Sequence, residues 1–587
     1  MATLNWGLSR HRRVDSRQFL IRIVLCVLIT GLLYLFYVFA VPQLFRFRFR
    51  DDLSWYDLGA YGFGPSRGYV SFQYESPVVE ITAVDDDRAC DSGYTFLSPR
   101  GDSVANPGPM IFDADGELVW LKHNWETTHD FKVQRFQGEE FLTYWEGEQV
   151  EGRGYGSWYM VDSTYTIRYV INPVGSYGGD LHDFQITSDG TALVTIYDPI
   201  VTDLRSVGGP ELGWIYDCLF QEFNMATEEL IFEWRASDKF PINSTYETLS
   251  GNTGNKRDSA FDFFHINSVD KDDQGNYIIS SRHTHAIFCI SRSTGDVLWT
   301  LGGKDNEFND LSNGEATGFS WQHDARWHVE NSTITLFDNA AHAHSDPERE
   351  SRGMAIHLDI PTRQATVLAT YQHPHQLKSV SQGNVQLLED IDRVLVGWGH
   401  GAAYSEFSTN GELLCNVHFG ASAFFDFGRV VSYRAFKGNW VGNPQTRPDA
   451  VLAEDGVYVS WNGATEVVGW RLEAWEGDDT EQVNSARNFT SLGDFEKTGF
   501  ETIIPVPDDP TYPIYRLAAL DAEGNILGTT ELLQSPPDSG SFNDLIVGAA
   551  LVMGICGLVA AIYQAKGFCK CRRSCLKQRD AYELVPQ

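Results

Sequence analysis

Leu181-His-Asp-Phe-Gln-Ile-Thr-Ser-Asp-Gly190 runs directly into Thr191-Ala-Leu-Val-Thr-Ile-Tyr197. A polar head comes first, then a short strand, a Ser-Asp-Gly turn and a second strand. Asp-Gly between alternating flanks is hairpin chemistry, because Gly tolerates the positive φ that a tight turn needs. The same order restarts at His129, at His265, at Gln322-His323 and at Gly383-Asn384. A second pattern, a turn leading into an apolar strand, alternates with the first. Its copies are Phe112-Asp-Ala-Asp-Gly-Glu-Leu-Val-Trp120, Ile290-Ser-Arg-Ser-Thr-Gly-Asp-Val-Leu-Trp299 and Phe407-Ser-Thr-Asn-Gly-Glu-Leu-Leu-Cys415. Looser copies run from Phe223 to Trp234 and from Leu358 to Tyr371. Two hairpins per unit make a four-stranded blade. With an opening unit near Gly93 to Trp120 the count is six. A blade cannot bury both faces alone, so the repeats must stack around an axis. The expected fold is all-β, a six-bladed β-propeller over residues 51–445.

Outward from the repeats, Val457-Tyr-Val-Ser-Trp461 and Val467-Val-Gly-Trp-Arg-Leu472 alternate cleanly, with Tyr515-Arg-Leu-Ala-Ala-Leu-Asp521 and Gly528-Thr-Thr530 following. That spacing resembles a fibronectin type III-like β-sandwich over 449–535. The alternative is that some of these strands complete the propeller. The composition agrees with a sheet-rich chain: aromatic residues make up 13% of 587 residues, and 53 are Gly. A formal net charge of −34 repels phosphate backbones and argues against a nucleic-acid partner.

Two runs lack charge, Ile23 to Val41 and Leu545 to Tyr563. Each spans about 28 Å as a helix. Arg10, Arg12, Arg13, Arg17 and Arg22 flank the first, and Lys566, Lys570, Arg572, Arg573, Lys577 and Arg579 flank the second. The positive-inside rule then places both termini in the cytoplasm and the middle in a lumenal or extracellular space. The resulting plan is a basic cytoplasmic tail (1–18), a membrane anchor (19–41), the two β domains, a second membrane helix (545–563) and a cytoplasmic tail (564–587). The rival for the first run is a cleaved signal peptide ending at Val38-Phe39-Ala40. Sequons at Asn243, Asn331 and Asn488 mark candidate glycosylation sites, all in the middle section. Cys569, Cys571 and Cys575 follow the second run among basic residues, a setting for palmitoylation rather than zinc, since no histidine follows. Cys90, Cys218, Cys289 and Cys415 permit bridges, but their spacing does not give a pairing.

The innermost strand of each blade lines the axial channel, and the polar head of the first pattern sits where that strand begins. His182, His265 and His323 therefore converge on one funnel. Asn267 lies two residues after His265, on the same strand face. Arg282 and His283 close the same hairpin in Ser280-Ser-Arg-His283. One such histidine alone reads as structural, but three at one repeat position point to a site. Imidazoles, an amide and a guanidinium are donors, which suits an anion better than a metal.

These residues carry a resemblance. Leu181-His-Asp-Phe, His265-Ile-Asn-Ser-Val, Ser281-Arg-His283 and Trp321-Gln-His-Asp-Ala-Arg-Trp327 are similar to the arylsulfotransferase family in its fungal-type branch. Leu336-Phe-Asp-Asn339 and Gly383-Asn-Val-Gln386 support it. The likeness covers 90–445 and, less closely, the chain to 535. Bacterial members are six-bladed propellers that move a sulfuryl group between phenols with no nucleotide donor, through a sulfated histidine. The resemblance implies that role for His323, with His182, His265, Asn267 and Arg282 around the transferred group. It implies substrate contacts for His283, Gln322 and Arg326, small phenolic or aryl sulfate substrates, and no cofactor or metal. Membrane spans and a C-terminal sandwich are departures from the bacterial enzymes. A propeller receptor or adhesion protein that lost turnover is the alternative, and a sulfate-releasing hydrolase a third reading. Asp270-Lys-Asp-Asp-Gln-Gly275 resembles the start of a calcium loop but has Ser281 at the twelfth position, so it reads as a blade turn. No phosphate-binding GxxxxGK[ST] occurs.

Overall fold

The computed structural model describes residues 16–36, 53–84, 90–123, 127–150, 152–328, 332–342, 349–475, 489–507 and 512–534. Five units with four antiparallel strands each follow one another along the chain, the fourth extended by Asn309–Asp310 in parallel at its outer edge. Their innermost strands are Thr127–Phe136, Phe184–Ile186, Ile266–Lys271, His323–His328 and Asn384–Leu388. A sixth sheet is composite. Ala435–Gly438 is its inner strand, and it pairs with Tyr94–Leu97, which is followed by Met110–Phe112 and Leu118–Leu121. Each inner strand touches the next, and Ala435–Gly438 touches Thr127–Phe136, so the inner strands form a closed cycle. The architecture is all-β and propeller-like.

Glu80–Ala83 adds to the outer edge of the fifth unit beside Leu413–His418, and Cys90 is disulfide-bonded to Cys415 on that edge strand. Cys218 and Cys289 are free and buried. The blade turns use the residues read from the sequence. In the third unit Asp272 Oδ1 accepts from the backbone N–H groups of Gln274 and Asn276, and Gly275 takes φ +80°. Packing between blades is apolar: Trp299, Leu301, Ile334, Leu336 and Ile356 form one such core.

Along the axis the packing is ionic. Arg434 lies 2.7 Å from Asp130, 3.0 Å from Asp183 and 3.2 Å from Asp324. Arg326 lies 2.8 Å from Asp183 and 2.6 Å from Asp324, and Lys132 lies 2.8 Å from Asp130. Asp183 also accepts from the Val269 N–H. Three cations and three carboxylates thus join the inner strands of five units. Burial pushes the Asp183 carboxyl up, but Arg326, Arg434 and Lys132 outweigh it and hold it well below the usual carboxylate range.

Among the described residues, none of the strands from Asp449 onward joins a blade. Asp449–Ala453, Gly456–Ser460 and Glu501–Ile504 make one sheet, while Thr490–Glu496, Gly469–Trp475, Ile514–Leu520 and Ile526–Thr529 lie in another. Val457, Val459, Trp470, Leu472 and Leu517 are buried, as alternation requires. A separate small unit comprises 474–490, 508–515 and 532–587. Within it the Tyr512 N–H donates to Tyr515 Oη at 3.0 Å.

The helix Ser16–Leu35 begins the described chain, and Arg17 and Arg22 lie in its first half. Among the described residues no helix is long and apolar enough to cross a membrane. The expected span 545–563, the sequons at Asn331 and Asn488, and Cys569, Cys571 and Cys575 lie outside the described residues. Asn243 is exposed, in the short helix Ile242–Ser244.

Candidate active site

Three of the inner strands are irregular near their starts. Register shifts fall between His129 and Lys132, between Ile266 and Ser268, and between His323 and Arg326. Asp130, His265, Asp324 and Gln382 take positive φ values of 54° to 68°, as do several turn residues. Such bulges re-aim side chains at a strand end. They turn the polar heads of the repeats toward one cavity of about 360 Å³. His129, His182, His265, His283, His323, Arg100, Arg153, Arg282, Gln382 and Tyr433 all line it.

His323 has a defined tautomer. Its Nδ1–H donates to Asn339 Oδ1 at 2.7 Å. Asn339 is oriented by its own amide, which donates to Ser379 O and Gln382 O. The lone pair of His323 Nε2 is left to accept from the Gln382 backbone N–H at 3.2 Å. Burial, then the Arg282 charge, keeps the imidazole well below its ordinary pKa, so it is neutral.

Two more histidines are fixed by carboxylates. His182 Nδ1–H donates to Asp180 at 2.5 Å, and His265 Nδ1–H donates to Asp262 at 2.6 Å. The His182 and His265 rings meet edge to face at 4.8 Å, and His265 lies 4.6 Å from His283. His283 Nδ1–H donates to Asp262 O, while its Nε2 accepts from Arg282 Nη1 at 2.8 Å. His265 and His283 are also held well below the ordinary histidine range, chiefly by burial.

Arg282 lies over the Trp321 ring at 5.0 Å and donates to Val380 O at 3.2 Å, and its buried Nε has no partner. Burial draws its pKa down, but it remains a cation at neutral pH. Asp262, His265 and His283 are the cavity residues closest to a metal-ligating set. The Arg282 guanidinium bonded to His283 opposes a cation there and favours an anion.

The structure therefore brings His182, His265, Arg282, His283 and His323 together. It does not bring Asn267, Gln322 or Arg326 to the cavity wall. Asn267 falls within the bulge, which breaks the alternation that would have put it beside His265. Its Nδ2 donates to Gln322 O at 2.7 Å, joining two blades. The Gln322 amide nitrogen is committed to Ser280 Oγ, Ser281 O and Ala286 O. Arg326 belongs to the axial ion network.

Several wall residues escaped the sequence reading. His129 heads the first unit at the same repeat position as His182 and His323, a signal that was present. It bonds Gln149 Oε1 through Nε2 at 3.1 Å, leaving Nδ1 buried without a partner. Asn339 stood inside a recognised motif. Arg100 and Tyr433 belong to no repeat, because they flank the strands that close the ring. The buried Tyr433 hydroxyl has no partner, and its ring lies 5.4 Å from His129, 5.8 Å from His182 and 6.4 Å from His323. Burial raises its pKa, so it stays protonated.

Comparison with known proteins follows from this geometry. Residues 132–420 match the arylsulfotransferase (ASST) family. No curated protein matches the chain. Among solved structures, a Bacteroides caccae protein of unknown function is similar at 11% identity and TM-score 0.34, covering 59% of this chain and 99% of its own. A Lactobacillus plantarum protein is similar at 11% identity and TM-score 0.31, over 70% of this chain and 97% of that one. The Malassezia sympodialis allergen Mala s 1 is similar at 8% identity and TM-score 0.29, over 65% and 95%. These likenesses are too weak to bear on function. The family match spans His182, His265, Arg282 and His323, four residues of the cavity wall, and by that segment the chain belongs to the arylsulfotransferase family.

Proposed function

We propose that the protein transfers a sulfuryl group from an aryl sulfate to a phenol through a sulfated His323. The family assignment supports a sulfotransferase-type function in general. The observation that carries the finer reading is the His323 tautomer: Nδ1–H bound to Asn339, Nε2 unprotonated, Arg282 close by. A neutral imidazole is a competent nucleophile near neutral pH.

In the first half-reaction Nε2 attacks sulfur, the sulfur–aryl oxygen bond breaks, and its electron pair leaves on the phenolate. Nδ1–H remains on Asn339, whose carbonyl stabilises the charge that develops on the ring. In the second, an acceptor phenol attacks sulfur, Nε2 leaves with its pair, and the phenolic proton goes to the departed phenolate or to water. Sulfuryl transfer, like phosphoryl transfer, spreads charge over the peripheral oxygens, so positioned donors do most of the work. Arg282 supplies such a donor through its Nε. The Gln382 N–H, on Nε2 at rest, loses its acceptor when sulfur binds and becomes available to a sulfuryl oxygen. The test is an assay of the purified chain with an aryl sulfate and a phenol, read for ping-pong kinetics and for a sulfated His323 peptide. Binding without turnover across many aryl sulfates would leave a binding protein instead.

We also propose the two-span topology, with both tails cytoplasmic and the β domains outside. The Cys90–Cys415 bond supports an oxidising compartment. The exposure of Asn243 suits glycosylation there.

A further inference from the structure

The cavity holds more cationic character than one sulfuryl group uses. Arg282 stands on the side of His265, His283 and His323. Arg100 stands on the side of His129 and Tyr433. Its Nη2 donates to Gln382 Oε1 at 2.9 Å, and its buried Nη1 has no acceptor among the described residues. No carboxylate among the described residues forms an ion pair with it. A buried guanidinium without a counter-ion is costly, so its retention on a cavity wall signals an absent anion. Burial brings its pKa down only to about 10, which leaves it charged at neutral pH.

Both guanidiniums hold the segment that meets the reactive nitrogen. Arg282 Nη2 holds Val380 O and Arg100 Nη2 holds the Gln382 side chain, at opposite ends of one three-residue segment. The Gln382 N–H at the end of that segment touches His323 Nε2. The unpartnered Tyr433 hydroxyl adds a neutral donor on the Arg100 side. Arg100 also lies outside the residues matched to the family, 132–420.

We propose that Arg100 forms a second anion subsite, and that the preferred substrates are aryl sulfates carrying a further oxyanion on the ring, a carboxylate or a second sulfate. This rests on the sulfuryl-transfer reading of the same cavity.

The test uses the full chain carrying His323→Ala, so that ligands bind without reacting. Affinities are measured calorimetrically for 4-nitrophenyl sulfate, 4-carboxyphenyl sulfate and 1,4-phenylene disulfate. The two dianions bind roughly 10-fold tighter or more than the monoanion, the worth of one charge-assisted contact. Arg100→Gln collapses that ratio toward one, Arg100→Lys keeps part of it, and Arg282→Gln weakens all three ligands while the ratio stands. The unfolding temperature of each variant separates misfolding from lost binding. Loss of only one dianion's advantage identifies which oxyanion the subsite takes. Equal affinities for monoanion and dianions, or a ratio indifferent to Arg100→Gln, overturns the proposal. Intact chain that transfers sulfate with no dianion preference removes the subsite and keeps the catalytic reading. Dianion-selective binding with no turnover in the intact chain does the reverse. Failure of every aryl sulfate to bind removes both.

Discussion

The Nδ1 of His323 lies 2.7 Å from the Oδ1 of Asn339, and Asn339 cannot turn because its own amide is held by two backbone carbonyls. The proton is thereby confined to the far side of the ring from the cavity. His323→Ala is expected to abolish transfer while the fold persists. Asn339→Ala should lower kcat by roughly 10- to 100-fold, as for other groups that orient a functional imidazole. Steady-state kinetics on an aryl sulfate decide it, and a change confined to KM would place Asn339 outside this role.

Arg282 contributes where charge develops. Its Nε is unpartnered at rest, so the contact is available for the transferred group. Arg282→Ala should reduce kcat roughly 10²–10³-fold, the usual cost of a lost oxyanion donor. Lysine in its place restores the charge but not the planar fork, and should recover only part of the rate. Equal kcat in wild type and Arg282→Ala would assign the sulfuryl oxygens to other donors.

Asp183 is a stability determinant. It joins Arg326, Arg434 and the Val269 N–H, and its side chain is buried. Asp183→Ala leaves two buried guanidiniums with fewer partners. Breaking such a pair costs about 3–5 kcal/mol. Chemical denaturation followed by tryptophan fluorescence should show the midpoint fall, and an unchanged midpoint would mean the axis is hydrated.

Acid should weaken the fold below a definite pH. His129, His265, His283 and His323 are all held well below the ordinary histidine value, first of all by burial. In the unfolded chain they protonate near pH 6.5. Above that pH both states are neutral and stability is flat. Below it the unfolded state binds more protons, so stability falls by up to about 1.4 kcal/mol per pH unit for each histidine. Unfolding temperatures measured from pH 8 to pH 5 should be level and then drop. His129→Gln should make the drop shallower.

Topology is testable without catalysis. Protease added to sealed microsomes should remove only the tails and spare the β domains. Glycosidase should reduce the apparent mass if Asn243 is modified. Degradation of the β domains from the cytoplasmic side would overturn the two-span arrangement.

The repeats were legible because they are local. Ser-Asp-Gly at 188–190 and Ser-Thr-Gly at 293–295 set turns, alternation sets strands, and neither needs a distant partner. The polar heads at His182, His265 and His323 could be placed in register for the same reason, and Arg282 came with its hairpin. Local period fails where a bulge interrupts it, so Asn267 could not be aimed from sequence: two residues along a regular strand share a face, two residues across a bulge do not. Gln322 and Arg326 belong to inter-blade and axial contacts, with partners such as Ala286 and Asp183 lying 36 and 143 residues away in the chain. Arg100 and Tyr433 meet in the cavity only because Ala435–Gly438 pairs with Tyr94–Leu97, and Cys90 finds Cys415 only after the ring has closed. Hairpin hydrogen bonds are encoded between neighbours in sequence. The seam of the ring, its ionic axis and the second guanidinium of the site exist only once distant segments are packed together.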